Sequence, residues 1–237
     1  MNWTPPPPRW DTLAGKVLDS FFAAVHQAMP DYDQPLTIFG SAPIQLCLDE
    51  DFASADVDIM VLEGGEMLRR IAAEAGLGRA GTVRAAFGVQ ICPPLLFNPT
   101  PHYLQRAHTE VRHGLTIIVP HLRDILIAKL HRSRVEGQEA LIPKDRRAFQ
   151  RVRELSGGHP TLPEFLQDLV NCESSFRPAH DGGLNSFRFN AENALHEIYG
   201  HHLDLKRDIL DPAAIATQPP GQPPPGFIAE RLKGLEK

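Results

Sequence analysis

The 237-residue chain carries a net charge of −5 and 42% hydrophobic residues, which suits one large domain, or one domain with an appended subdomain, around a sizeable core. No apolar run approaches the roughly 20 residues of a membrane span, and Met1-Asn-Trp-Thr-Pro-Pro-Pro-Pro8 lacks the basic start and apolar core of a signal peptide. Cys47, Cys92 and Cys172 are odd in number and far apart, fitting neither a disulfide framework nor a zinc site, so core thiols in a reducing cytoplasm are expected, with no membrane partner.

Residues 11–29 place Leu13, Val17, Leu18, Phe21, Phe22 and Val25 at helical spacing. A strand over 36–39 follows and stops at Gly40, a residue without Cβ. Residues 41–48 then read as a short helix capped by Ser41, with Pro43 tolerated in its first turn. Backbone N–H groups at such a start can cradle a phosphate. Residues 56–62, Asp-Val-Asp-Ile-Met-Val-Leu, read as a second strand. Alternation there puts Asp56 and Asp58 on one face and Val57, Ile59 and Val61 on the other. Two carboxylates on one face repel unless a cation or proton lies between them. The simplest such cation is Mg²⁺, a hard ion that takes one or two carboxylates plus substrate phosphates.

Downstream, 66–75 reads as a helix, 83–92 as a strand stopped by Pro93-Pro94, and 115–119 as another short strand. Residues 121–132, 144–155 and 162–171 read as helices, and 185–210 holds at least one long one. Residues 218–225 are a Pro-rich linker, leaving 227–235 as a loosely attached tail. The expected architecture is α/β, a small mixed sheet with flanking helices and a helical C-terminal subdomain. Its parts would be an α/β core with an N-terminal helix over 1–120, helices completing the site over 121–211, and the linker and tail over 212–237.

Charge is distributed unevenly. The window 123–153 holds nine Lys or Arg against four acids, a balance of +5 that leaves −10 for the remainder of a chain totalling −5. A basic block on an acidic chain suggests contact with a polyanion, either a triphosphate or an RNA backbone; a solvated helix surface is the plainer account. Within 121–132, Leu122, Ile125, Leu126 and Leu130 form the apolar stripe; Lys129 lies inside it, and Asp124 faces away. Within 144–155, Asp145 lies about 100° from Lys144, among Ala148, Val152 and Phe149. Two opposite charges on inward faces either pair with each other or line a shared polar site, with Lys129 as a phosphate ligand and Asp145 as a further carboxylate.

Phe39-Gly40-Ser41 followed by Asp56-Val57-Asp58-Ile59 resembles the signature of the polymerase-beta-like nucleotidyltransferase superfamily, with a slightly longer spacer. Asp124, Lys129-Leu130 and Lys144-Asp145 are similar to the later motifs of the minimal, toxin-type nucleotidyltransferases related to AbiEii, so the resemblance spans roughly residues 36–155. It implies a nucleotidyltransferase fold, Mg²⁺ held by Asp56 and Asp58, and a nucleoside triphosphate whose β- and γ-phosphates lie at Gly40 and Ser41. Lys129 would neutralise developing charge and Asp145 would be a further carboxylate. The acceptor in such toxins is often tRNA, with an antitoxin protein as neighbour; another RNA or a protein acceptor would suit the same chemistry. One departure stands out. The superfamily's third carboxylate lies on the next strand, and 83–92 contains neither Asp nor Glu. The alternative is a non-catalytic domain that retains the fold and senses nucleotides or binds partners; a basic helix surface that only docks RNA is a third. His196-Glu197-Ile-Tyr-Gly-His201-His202 separates its first two histidines by five positions, about 140° round a helix, and so is not a zincin site.

Overall fold

The computed structural model describes residues 3–52, 56–78, 88–133, 138–172, 186–203 and Leu205. The first half of the 83–92 strand and the whole of 212–237, including the Pro-rich linker and tail, lie outside the described residues. The chain divides into two compact units, Met1–Ile125 and Leu126–Lys237.

The first unit holds α1 (Leu13–Ala28), β1 (Leu36–Phe39), α2 (Ala42–Cys47), β2 (Asp56–Met60), α3 (Gly65–Glu74), β3 (Gly88–Cys92), β4 (His108–Arg112) and β5 (Leu115–Val119). Helix α4 (Leu122–Leu130) begins in it. The five strands form one mixed sheet in the order β3-β2-β1-β5-β4. Strand β1 runs antiparallel to β2 and parallel to β5, while β3 runs parallel to β2 and β4 antiparallel to β5. This is the expected mixed α/β fold.

Burial decides which way each strand faces. Ile38, Val57, Ile59, Val89, Ile91 and Ile117 share one core with Leu18, Phe21, Phe22 and Val25 of α1 and with Leu68, Ile71 and Ala72 of α3. Thr12 caps α1 by accepting the Gly15 N–H at 3.0 Å, replacing one of the bonds a helix start lacks. Leu13, which shares the apolar spacing, lies outside the core and is exposed.

Strand β4 has no counterpart among the predicted elements. None of its five residues is buried, so no apolar alternation marks it. Its local signal is the two-residue turn His113-Gly114, with φ of 48° and 76° joining the paired residues Arg112 and Leu115. Two consecutive positive φ values are the geometry of a type I′ hairpin turn.

The second unit contains α5 (Pro143–Leu155), α6 (Leu162–Asn171) and α7 (Ser186–Tyr199). Thr161 and Glu164 form a reciprocal capping box at the start of α6. Glu197 of α7 accepts the Leu141 N–H at 2.8 Å and pairs with Arg146, tying the approach to α5 onto α7. No described helix is long and apolar enough to cross a membrane.

Two histidines, His121 buried and His131 partly buried, couple folding to pH. Burial pushes His121 and His131 down to about 4. His121 accepts the Arg123 N–H on Nδ1 and lies 3.3 Å from the Trp3 carbonyl on Nε2, an arrangement that uses the neutral ring. Below the ordinary histidine value the unfolded chain takes up protons that the folded chain refuses. Stability is therefore expected to be full above pH 6.5 and to fall towards pH 4, by at most about 1.4 kcal/mol per pH unit for each histidine. Urea unfolding at stepped pH measures this, and His131→Gln should flatten part of the slope.

Candidate functional site

Asp56 and Asp58 leave β2 on the face opposite the α1/α3 core, both half-buried, while Val57 and Ile59 between and beyond them are fully buried. The neighbouring strands make room for them. In register, Asp58 stands beside Phe39 of β1 and Gln90 of β3, and Asp56 beside Gly88 of β3. Gly40 ends β1 at φ +71°, and a Cβ there would overlap the Asp58 carboxylate, with its Cγ at 3.0 Å. The glycine that follows β1 thus serves two purposes: it adopts a backbone conformation costly for L side chains, and it leaves space for a carboxylate.

Ser41 precedes α2 and is buried, but its side chain makes no capping hydrogen bond to that helix. The expectation of a serine cap is corrected on this point: Ser41 is in the αR conformation, whereas a side-chain cap uses extended backbone. Pro43 occupies the first turn, as expected.

Part of the Asp-bearing face is roofed. The segment 93–106, with single 3₁₀ turns at Pro94–Leu96 and Tyr103–Gln105, folds back over the β1 side of the sheet. Phe97 packs on Phe39 with centroids 5.2 Å apart and Tyr103 meets Phe97 edge-on at 5.4 Å. The Tyr103 side chain also hydrogen-bonds Thr37.

The roof is anchored by Asp124. Its fully buried carboxylate accepts Arg106 Nε at 2.6 Å, Arg106 Nη2 at 2.8 Å and Thr100 Oγ1 at 2.5 Å. Asp124 therefore does not face away from the core, as the helical wheel predicts. The wheel sees only the stripe of its own helix, and the partners of Asp124 come from a segment some twenty residues earlier.

Lys129 and Asp145 belong to the second unit and pair with each other at 3.4 Å, with side chains 6% and 3% exposed. Arg132 joins them, its Nε 2.9 Å from Asp145 Oδ2. Burial lowers the Lys129 pKa, against the pull of Asp145 and with the repulsion of Lys144 and Arg132. Asn190 holds this end of α4 by donating its amide to the carbonyls of Leu130 and Arg132, each at 2.9 Å. Of the two expectations for these inward charges, mutual pairing is the one the structure displays.

Among the described residues no group of three or more His, Cys, Asp or Glu is arranged to hold a metal ion. Glu197 is engaged with Leu141 and Arg146, and His196 packs on the His202 ring with centroids 3.9 Å apart. All three cysteines are buried thiols, and burial pushes Cys47 up to about 12 and Cys92 up to about 11, far from a reactive thiolate. Gln90 and Gly88, the β3 residues facing the aspartates, form no recognisable motif in sequence and emerge only from strand register. Compared with protein-family models, curated proteins and solved structures, the chain has no match in any of the three.

Two outcomes follow from this geometry. Gly40→Ala should destabilise the chain by about 1–3 kcal/mol, since the new methyl meets both an unfavourable φ and the Asp58 carboxylate; Asp58→Ala in the same chain should recover part of the loss. Lys129→Ala should cost about 3 kcal/mol or less, because Arg132 still partners Asp145. Asp145→Ala should cost more, since it strands a buried ammonium. Chemical denaturation of the four variants ranks these costs.

Proposed function

We propose that the chain transfers a nucleotidyl group from a nucleoside triphosphate to an RNA acceptor, with Mg²⁺ held by Asp56 and Asp58. The observation that carries the proposal is the half-buried carboxylate pair on one face of β2, with Gly40 clearing space for Asp58 at the end of the adjacent strand. The donor set suits the ion: two hard oxygen groups on one face are what Mg²⁺ takes from protein when phosphates supply other positions. Gln90, in register with Asp58, adds a neutral amide to the same face. When bound, the cation would draw charge from the α-phosphate and the leaving pyrophosphate.

The chain's own residues would then position the reactants. Gly40 and Ser41 would keep backbone, rather than side chain, beside the phosphates, and Asp56 and Asp58 would fix the orientation of the triphosphate through the ion. An acceptor oxygen would bond to the α-phosphorus as the bond to pyrophosphate breaks, in line, with catalysis arising from alignment and charge stabilisation. Lys129 and Asp145 pair with each other within the second unit, and Asp145 is committed to two cations there.

A second reading is a domain that binds the nucleotide without turning it over. It is favoured by one observation: the described strand beside β2 offers Gln90 where a third carboxylate would stand.

Thermal unfolding separates these readings from a domain with no ligand. A triphosphate with Mg²⁺ should raise the melting temperature through mass action, and Asp58→Asn should abolish the shift. Transfer of label from each of the four nucleoside triphosphates to RNA should accompany that shift if the domain is an enzyme. A shift without label supports the binding domain, and no shift at millimolar nucleotide removes both.

A further inference from the structure

Helix α5 presents two unlike faces. Asp145, Ala148, Phe149 and Val152 are buried, and Arg146 and Arg153 are engaged within the second unit, Arg146 with Glu197 and Arg153 Nη1 with the Ile198 carbonyl at 2.8 Å. The remaining cations, Lys144, Arg147 and Arg151, fall within about 60° of one another round the helix and extend over roughly 10 Å of its length. Lys144 and Arg147 are exposed, and among the described residues neither has an ion-pair partner. Arg151 is 37% exposed and bonded to Glu154 at 2.9 Å, the one acid beside the stripe on this helix. At the other end Arg132, 48% exposed, shares Asp145 with the buried Lys129, so two cations meet one carboxylate there.

We infer that this outer face of α5, with Arg132 at its start, is a docking surface for the phosphodiester backbone of RNA. Charge complementarity selects the occupant. Outside 123–153 the chain carries −10, so a polyanion is repelled by most of the molecule and drawn to this stripe. The cations lie in a row, as a linear polyanion requires, and guanidinium groups match phosphate oxygens in pairs. The apolar residues of α5 are turned inward, apart from Pro143 and Leu155 at its two ends, which leaves little surface for a membrane or an apolar helix to share. The inference rests on RNA being the acceptor in the proposed reaction, but the docking can be measured without turnover.

The test uses the full chain, without Mg²⁺ or nucleotide, and the anisotropy of fluorescently labelled total tRNA across about 50 to 300 mM salt. Affinity should fall steeply with salt. The triple variant Lys144→Ala/Arg147→Ala/Arg151→Ala should bind about tenfold more weakly or worse at low salt and lose about two to three from the salt slope. Glu154→Gln, which removes the neighbouring acid and adds no positive charge, should bind more tightly, and it guards against a triple variant that fails to fold. Unchanged binding in a folded triple variant together with no gain in Glu154→Gln overturns the assignment. So does equal affinity for polyglutamate, which would make the stripe a surface for acidic protein. Loss of nucleotide-dependent stabilisation in Asp58→Asn and loss of RNA docking in the triple variant are read in separate assays, so each proposal can fail without the other.

Discussion

The arrangement of the first unit depends on one constraint, the two-sidedness of β2. Val57 and Ile59 are fully buried against α1 and α3 and cannot be turned outward without losing about 1.5–3 kcal/mol each. A one-residue slip of the strand would bury two carboxylates in that core instead. The hydrophobic residues therefore fix where the charged ones stand, and β1 and β3 supply the glycines beside them. The carboxylate pair is held by its apolar neighbours.

Three carboxylates removed wholly or largely from solvent share one kind of solution. Asp124 is satisfied by a bidentate arginine and a hydroxyl, Asp145 by a lysine and an arginine, and Glu197 by a backbone N–H and an arginine. Each carboxylate joins its own element to another segment: α4 to the 93–106 roof, α5 to the end of α4, and α7 to the approach to α5. Such pairs add modest net stability relative to apolar packing, but losing one partner is expensive. Lys129, Arg132 and Arg146 of the basic block in 123–153 serve in this way. Lys144 and Arg147 are exposed and, among the described residues, without a bonded acid, whereas the exposed Arg132 and the partly exposed Arg151 are each bonded to one.

Local periodicity made much of this legible in sequence. β1 and β5 are apolar runs each interrupted by one threonine, and Asp56–Ile59 of β2 alternates so that its two faces are assigned residue by residue. Long helices with one apolar stripe, α1 and α5 among them, were equally readable. What local pattern could not show were features made by distant segments. β4 is stabilised by pairing with β5 and not by its own apolar face. Asp124 is enclosed by a roof whose course no spacing encodes. Gln90 and Gly88 acquire meaning only from the register of β3 against β2. The Ser41 cap failed for a related reason: the residue type favours capping, but its backbone turns into the αR region.

Charge balance on the Asp-bearing face connects the fold to the proposed chemistry. Two carboxylates neutralise one divalent cation, and a third acid at the Gln90 position would leave the face negative or call for a second ion. Gln90 keeps a hydrogen-bonding oxygen there without the charge. A triphosphate arriving with its own negative charge is then less strongly repelled than it would be by three acids. The cost is a weaker hold on the cation, because ligand charge sets much of the affinity of a hard-ion site. In such a site cation and nucleotide would bind together more readily than either alone, because the cation offsets both the two carboxylates and the phosphates that approach them.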